Sequence, residues 1–528
     1  MHDHIIAVDV GTGSARAGVF DLRGRQLSRH VTAISLHQSE PRHLEQDSDE
    51  IWSAVCTAVR AALSEAGLPS SAVLAIGFDA TCSLVVRDKR GKPLSVSMSG
   101  RRNLDTMLWM DHRAIDETDA CNSTDDPILQ RFGGRLSVEM QVPKLLWLKR
   151  HLPDTWSQAG MIFDLADYLT WRATGLNHRG HSALAAKWGY GPIAPGERPD
   201  RFYERVGLAD LSEKSALPEK SGQPTAPVGR LTTDAAEALG LTDDCMVAPG
   251  LIDAYAGTIS LFCATDRSMP ATLENQAALI AGTSSCIVRL LDRPVSGEGC
   301  WGTFRDVAVP DLWLLEAGQS ASGALLDHIV STHPQGGEPN QARHRAILDH
   351  IGLQLQQRGA DYGLPITVLP DFHGTRSPTS DPRLTGTMAG LSLDRSFDGL
   401  CQIYWRSCVA LACGVKYIID RLPPDLVPIK TLLLAGGLAH HPLLSQLYAD
   451  ATGCTVRKAD GCDAVLLGTA LHTAVAAGRY PDFWTAGQAM AVRMTEIAPD
   501  TARKNRLTRD HALLREMIHH RDALHRLM

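Results

Sequence analysis

Short, almost wholly apolar runs recur along the chain, and most of them end in turns rich in glycine, serine or threonine. Ile5 to Val10 is the first and predicts a buried strand. Gly11-Thr12-Gly13-Ser14 then turns the chain, and Ala15 to Asp21 runs back. A second turn at Leu22 to Arg25 leads to a third strand over Gln26 to Ser35, a meander that suits the opening of a mixed sheet. From Gln46 to Ala66 the apolar positions change period: Ile51, Val55, Ala58, Val59 and Leu63 fall on one helical face, with Ser48 or Asp49 as N-cap. Val73 to Phe78 is another buried strand. It ends at Asp79-Ala80-Thr81-Cys82-Ser83, and ligands of open α/β sheets are met at such strand ends. Lys144 to Lys149 and Ile162 to Trp171 carry the pattern of core-facing helices. The stretch from Gly191 to Gly229, rich in Pro, Gly and charge, predicts an elaborated surface region.

The second half opens with a pattern already met. Leu279 to Ser285 followed by Cys286 to Asp292 is again strand, Gly-Thr-x-Ser turn and return strand, closed by an Asp as Asp21 closes the first copy. An internal duplication explains two such copies opening two halves of similar size. A long helix over 396–421, a strand Thr431 to Leu434 ending at Gly436-Gly437, and helices at Pro442 to Thr452 and Ala464 to Ala477 follow. The tail from Thr508 to Leu527 predicts an amphipathic packing helix through Leu513, Leu514, Met517, Ile518 and Leu524.

The turns are the first candidate chemistry. Gly11 to Ser14, Gly282-Thr283-Ser284-Ser285 and Ala435-Gly436-Gly437 each follow a strand. Glycine lets consecutive N–H groups aim at an anion, and the hydroxyls add donors. Two duplicated turns facing one another would grip a polyphosphate from both sides. Asp9, just before the first turn, is placed to hold a hydrated Mg²⁺ against those phosphates. Near the midpoint, Gly250-Leu251-Ile252-Asp253-Ala254-Tyr255-Ala256-Gly257 delivers one carboxylate, isolated in sequence, into a segment of small residues. By itself it reads equally as a helix-cap or turn aspartate. No Gly-x-x-x-x-Gly-Lys-[Ser/Thr] loop occurs, nor the protein-kinase motif set.

Composition narrows the remaining classes. With 528 residues, 44% hydrophobic and 21% charged, the chain has the usage of a globular protein large enough for two domains. A formal charge of -7 gives no support to nucleic-acid or anionic-membrane binding. Twelve scattered cysteines without a C-x-x-C pair suit a reducing compartment. With no signal-peptide pattern and no membrane-length apolar run, a cytoplasmic protein is expected.

Taken with Asp253-Ala254-Tyr255-Ala256-Gly257 and Gly436-Gly437, the duplicated hairpins resemble the FGGY carbohydrate kinases. Longer segments are similar to that family's ribulokinase-type branch. These are Gly77 to Ser83, Leu108 to Ala114, Pro143 to Lys149, Glu316 to Gly323 and Asp371 to Pro378. The resemblance runs from about Ile5 to about Gly478. It implies two actin-like, ribonuclease-H-like α/β domains with a ligand cleft between them. The expected division is 1–256 for the sugar and 257–528 for the nucleotide. The implied activity is ATP- and Mg²⁺-dependent phosphorylation of a terminal sugar hydroxyl. D-ribulose is the best match, with L-ribulose, ribitol or another polyol as alternatives. Outside enzymes, an actin-fold nucleotide switch is the rival reading.

By motif, Asp253 is the implied base and also a sugar contact. Asp79, Ala80, Thr81, Lys187 and Glu316 are implied sugar-side residues, and Asp111 with His112 a second rank. Asp9, Gly11, Thr12, Gly13, Ser14, Gly282, Thr283, Ser284, Gly436 and Gly437 match the nucleotide and Mg²⁺ loops. His441 stands near where the family places Asn beside adenosine, so it is the implied substitute. A homodimer is expected from the family alone.

Overall fold

The computed structural model describes residues 3–191, 198–263 and 273–527. Two seven-stranded mixed sheets, one in each half, organise them. In the first, His4–Val10 pairs antiparallel with Ser14–Asp21 and parallel with Val73–Ala80. Gln26–Ala33 extends the sheet on one side, and Met246–Val247 with Gly229–Arg230 on the other. The second sheet repeats these directions. Gln276–Ala281 is antiparallel to Ser285–Leu291 and parallel to Thr431–Ala435, which is parallel to Thr455–Ala459. Apart from its first residue, His4–Val10 is buried throughout, as its continuous apolar run requires of a strand covered on both faces.

The two hairpins differ by one residue. Val10 pairs with Ala15 across the first turn, whereas Ala281 pairs with Ser285 across the second. A one-residue change in register exchanges the faces of a return strand. The first hairpin sets Asp9 opposite Arg16, while the second sets Ile280 opposite Cys286. A cross-strand acid–base pair therefore flanks the turn in the first copy only.

Two helices tie the halves together by exchange. Asp253–Cys263, which continues the chain of the first half, packs on Gln276–Ala281 and Thr431–Ala435 of the second sheet. Ala464–Ala476, from the second half, packs on His4–Val10 and Val73–Ala80 of the first. The two helices also pack against each other. Every residue of Ala464–Ala476 is buried, matching a sequence that is apolar on all sides. The contact demands glycine at two points. A Cβ on Gly468 would lie 1.7 Å from the Ala256 carbonyl oxygen, and one on Gly77 would lie 1.9 Å from Thr473 Oγ1. The expected division at 256/257 falls within the helix Asp253–Cys263.

Several local expectations shift. The first long helix is Ser48–Glu65, and its cap is Asp47, whose carboxylate accepts from the Asp49 and Glu50 amides. Residues 159–164 form a strand before the helix Leu165–Thr174, so the expected helix from Ile162 begins late. Its β-branched and aromatic start pairs with Leu84–Asp88 instead. The region expected at the surface over 191–229 includes residues 192–197, which lie outside the described residues. Its described part is anchored inward by Phe202, Tyr203, Leu208 and Leu211, all buried. The tail helix is Lys504–His525; Leu514 is buried but Leu513 and Leu524 are exposed. No helix among the described residues is long and apolar enough to cross a membrane.

Candidate active site

Strand register brings the acidic residues together. Asp9 and Asp79 are direct partners on neighbouring parallel strands, and Asp79 is in turn partnered by Leu251 of Leu251–Ile252. Two residues beyond Leu251, Asp253 opens the helix Asp253–Cys263. Asp9 Oδ2 accepts from Arg16 Nη1 at 2.6 Å. Asp79 Oδ2 accepts from Thr469 Oγ1, a bond between the halves, while its Oδ1 is buried without a protein partner. Burial pushes the Asp9 carboxyl up, only partly offset by Arg16, and Asp463 adds to the rise. Asp79 is pushed well up by burial and then by Asp9.

Asp253, isolated in the sequence, is not isolated in space. Burial first, and then the Asp9 charge, raise its pKa to about 7. The Ala254 amide donates to its Oδ1 at 2.7 Å, and this bond and Lys187 pull the other way. A carboxyl titrating near neutrality, at a helix N-terminus, is suited to accept a proton from a bound hydroxyl.

Asp253 also interacts with a second cluster, around Lys187 and Glu316. Lys187 ends the helix His181–Lys187 and is 7% exposed, so it is no surface ammonium. Its Nζ sits 4.6 Å from the Trp301 ring centroid. Burial opposes its charge, yet the Glu316 carboxylate holds its pKa above the ordinary lysine value. Glu316, 3% exposed, stands on the strand Trp313–Gln319 and accepts from the Tyr255 hydroxyl at 2.9 Å. Trp301 Nε1 and Arg376 Nε are buried here without protein partners. Buried donors left unpaired cost about 1–3 kcal/mol each, a cost that a polyhydroxylated ligand would remove.

The first turn follows Asp9 along the chain, and the second and third turns pack on each other. Thr12 accepts at its hydroxyl from Trp109 Nε1 (3.1 Å) and at its carbonyl from Gln46 Nε2 (2.9 Å), which fixes the Gly11–Ser14 turn. Gly13 is exposed and a Cβ there would meet nothing. In the second turn the carbonyls of Gly282 and Thr283 accept from Gly323 and Ser322 amides, at 2.9 and 2.8 Å, where the helix Gly323–Thr332 begins. Ser284 lies at the apex beside them, partly exposed. Gly436 has φ 92° and packs so closely that a Cβ would lie 2.5 Å from the Ala281 carbonyl oxygen. This joins the third turn to the second and leaves Gly437 exposed.

Not every expected residue joins these groups. Asp111 is wholly buried, and its oxygens accept from the Leu44 amide and the Arg113 guanidinium, a structural arrangement that leaves no oxygen for a sugar. His112 stacks on His373 at 3.8 Å, joining the halves. Asp79 lies with Asp9 rather than with Lys187 and Glu316. Ala80 is buried beside Val10 and Ile252, and the Thr81 hydroxyl shares a hydrogen with Ser83 at 3.1 Å. His441 caps the helix Pro442–Thr452, its Nδ1 accepting from the Leu443 amide, with Nε2 3.5 Å from Asp349.

Other residues enter without a role having been read from the sequence. Arg16 and Asp463 belong to the acidic cluster. Arg376, Glu139, Trp109 and Trp301 surround the Lys187–Glu316 pair. Arg376 and Trp109 lie in segments that resemble the family, Asp371 to Pro378 and Leu108 to Ala114, whereas nothing in the sequence singled out Glu139 or Trp301.

A Mg²⁺ ion fits the acidic group. Asp9, Asp79, Asp253 and Asp463 all interact with Arg16, Asp463 is paired with Arg29 as well, and Asp79 Oδ1 is unpaired. No cage of three or more ligating side chains occurs among the described residues. Mg²⁺ is commonly held by one or two carboxylates together with substrate phosphates and water, so no cage is needed.

Sequence profiles of the N-terminal and C-terminal domains of the FGGY family of carbohydrate kinases match residues 4–260 and 277–477. An FGGY carbohydrate kinase domain-containing protein of Xenopus laevis is 37% identical over 505 residues, covering 92% of this chain and 91% of that one. A protein named D-ribulokinase from Saccharomyces cerevisiae is 36% identical over 513 residues, 89% of this chain and 71% of its own. Among solved structures, a xylulose kinase of Lactobacillus acidophilus superimposes with a TM-score of 0.77 at 19% identity, covering 99% of this chain and 98% of that chain. That likeness establishes the two-domain actin-like fold, and the sequence matches establish descent: the chain belongs to the FGGY family of carbohydrate kinases.

Proposed function

We propose that this kinase phosphorylates the terminal hydroxyl of a pentulose with ATP, converting D-ribulose to D-ribulose 5-phosphate in the cytoplasm. The observation that carries the reading is the position of Asp253. Its carboxyl feels both Asp9 of the acidic group and the buried Lys187–Glu316 pair. The D-ribulokinase name of the yeast relative supports the choice of sugar. L-ribulose, ribitol or another polyol would use the same groups.

In this reading Lys187, Glu316 and Asp253 hold the sugar, with its terminal hydroxyl at Asp253. As the sugar oxygen bonds to the γ-phosphorus and the bond to the β-γ bridging oxygen breaks, Asp253 takes the hydroxyl proton and ADP leaves. Phosphoryl transfer has a loose transition state, so placing the oxygen in line and neutralising charge carry most of the catalysis. The turns at Gly11–Ser14, Gly282–Ser284 and Gly436–Gly437 grip the nucleotide phosphates. Asp9, with Asp79 beside it, would hold Mg²⁺, which when bound neutralises phosphate charge. Residues 1–256 then supply mainly the sugar side and 257–528 mainly the nucleotide side. His441, occupied as a helix cap, offers adenosine its ring face. A nucleotide switch has no use for a buried Lys187–Glu316 pair, which favours the enzyme. The family also suggests a homodimer, which analytical ultracentrifugation tests.

ADP release measured over D-ribulose, L-ribulose, ribitol, D-xylulose and glycerol tests the substrate. The expected result is the highest kcat/KM for D-ribulose, with phosphate on the terminal carbon. A preference for another acceptor would replace the sugar, and ADP release at full rate without any acceptor would defeat the kinase reading.

A further inference from the structure

Arg376 belongs to no helix or strand, yet it is among the most enclosed charges in the molecule, at 3% exposure. Its loop is pinned beside Glu316. The Ser377 amide donates to the Gly318 carbonyl at 3.2 Å, and the Gly318 amide donates to the Ser377 hydroxyl at 3.1 Å. From there the guanidinium reaches both halves. Nη2 donates to Glu139 Oε2 of the first half at 2.7 Å. Nη1 donates to Cys286 Sγ at 3.1 Å and lies 3.9 Å from Glu316 Oε1, both in the second half. The rings of Trp109 and Trp301 flank it, with centroids at 5.7 and 5.0 Å. Burial alone would lower its pKa, but Glu139, then Cys286 and Glu316, more than reverse that and keep it charged.

Trp109 carries the connection onward. Its indole Nε1 donates to the Thr12 hydroxyl in the first glycine turn. One guanidinium thus touches the carboxylate assigned to the sugar, a carboxylate of the opposite half, and the ring that fixes a phosphate-side turn. We propose that Arg376 is the positioning residue that couples sugar occupancy to the nucleotide side. Seating the sugar on Glu316 fixes the guanidinium, which in turn fixes Glu139 and Trp109, and so presents Thr12 to the phosphates with the halves closed. Arg376 transfers no proton and binds no phosphate. This rests on the sugar-side assignment of Glu316, and not on which sugar is bound.

Coupling of this kind is measurable as a ratio of affinities. Calorimetry gives the Kd of the whole enzyme for a non-hydrolysable ATP analogue with Mg²⁺, with and without saturating acceptor. The acceptor is whichever sugar or polyol the wild-type enzyme phosphorylates fastest, so failure of the D-ribulose assignment leaves the test intact. The expected wild-type result is about tenfold tighter nucleotide binding with acceptor, within the usual range of coupling between sites. Arg376→Lys keeps the charge but lacks the planar fork that spans two carboxylates. It should bring the ratio to within about twofold of one, with binding of nucleotide alone altered by less than about threefold. Glu139→Gln should do the same from the opposite half, and serves if the arginine variant does not fold. A wild-type ratio of one, or a ratio unchanged in a folded variant, overturns the proposal.

Discussion

Replacing Asp253 by Asn separates two consequences of a single carboxylate. In the folded protein its carboxyl is pushed up to about 7 from the ordinary 3.8, by burial first and then by Asp9. The sign follows from linkage. A carboxyl whose folded pKa is raised leaves stability intact below the unfolded pKa, and stability is lost as pH climbs to the folded pKa. About three pKa units at 1.36 kcal/mol each set a ceiling of about 4 kcal/mol. Partial exposure of Asp253 and solvent screening reduce this to about 2–4 kcal/mol above pH 7. Asn has no charge to bury, so the variant should escape the penalty. For a cooperative unit of about 250 residues the difference amounts to about 4–8 °C in Tm.

Thermal unfolding of both proteins between pH 4 and pH 8.5 reads this out directly. The two melting temperatures should converge near pH 4 and separate up to about pH 7, with the variant the more stable. Catalysis should move in the opposite direction, with kcat falling by about 10²–10⁴ while nucleotide affinity is retained. Wild-type kcat/KM for the sugar should drop about tenfold per pH unit below about 7, as the base becomes protonated. Parallel melting curves across the whole range, or a variant within tenfold of wild-type kcat, would falsify the account of Asp253 as a strained base.

Lys187→Met removes the ammonium opposite Glu316; sugar KM should rise at least about tenfold with nucleotide KM little changed, and steady-state kinetics on both substrates check it. Gly436→Ala forces a Cβ against the Ala281 carbonyl at positive φ. It should cost more than about 1 kcal/mol of stability and weaken nucleotide binding, measured by denaturant unfolding and calorimetry. Thr469→Val takes away the donor that Asp79 receives from the other half. A loss of about 1–3 kcal/mol is expected in denaturant unfolding, and an unchanged midpoint would show that this bond contributes nothing.

Hairpin strands and glycine turns were legible because their signals are local. An apolar run ending in Gly-Thr-x-Ser states its own strand and turn, and Ala464–Ala476 announces burial through its composition. What the sequence could not display was adjacency. Asp79 stands beside Asp9 through the register of two strands some 70 residues apart, and Thr469 reaches Asp79 from the far end of the chain. Asp111 illustrates the opposite failure. A carboxylate in a conspicuous Trp-Met-Asp-His-Arg segment proved to be saturated by Arg113, two residues away, and by the Leu44 amide. A motif can indicate that a residue is constrained without revealing whether a ligand or the protein constrains it.

The exchange of helices explains why the site lies where it does. Each half would fold its sheet against its own helices, but Asp253–Cys263 and Ala464–Ala476 are each seated on the other half's sheet and meet at Gly468. Asp253 is thereby the first residue of an element anchored in the second half, while the strand leading into it is registered on Asp79 of the first. The Ile252–Asp253 junction is thus one place where the chain passes between the halves; the helix Ala464–Ala476, seated on the first sheet, provides another. In the proposed mechanism, the base at that junction is anchored in the half assigned to the nucleotide and joined directly to the half assigned to the sugar. In that mechanism a closing motion of the halves would bring the carboxyl and both substrates together, and opening would separate the acceptor hydroxyl from the phosphate before water could take its place.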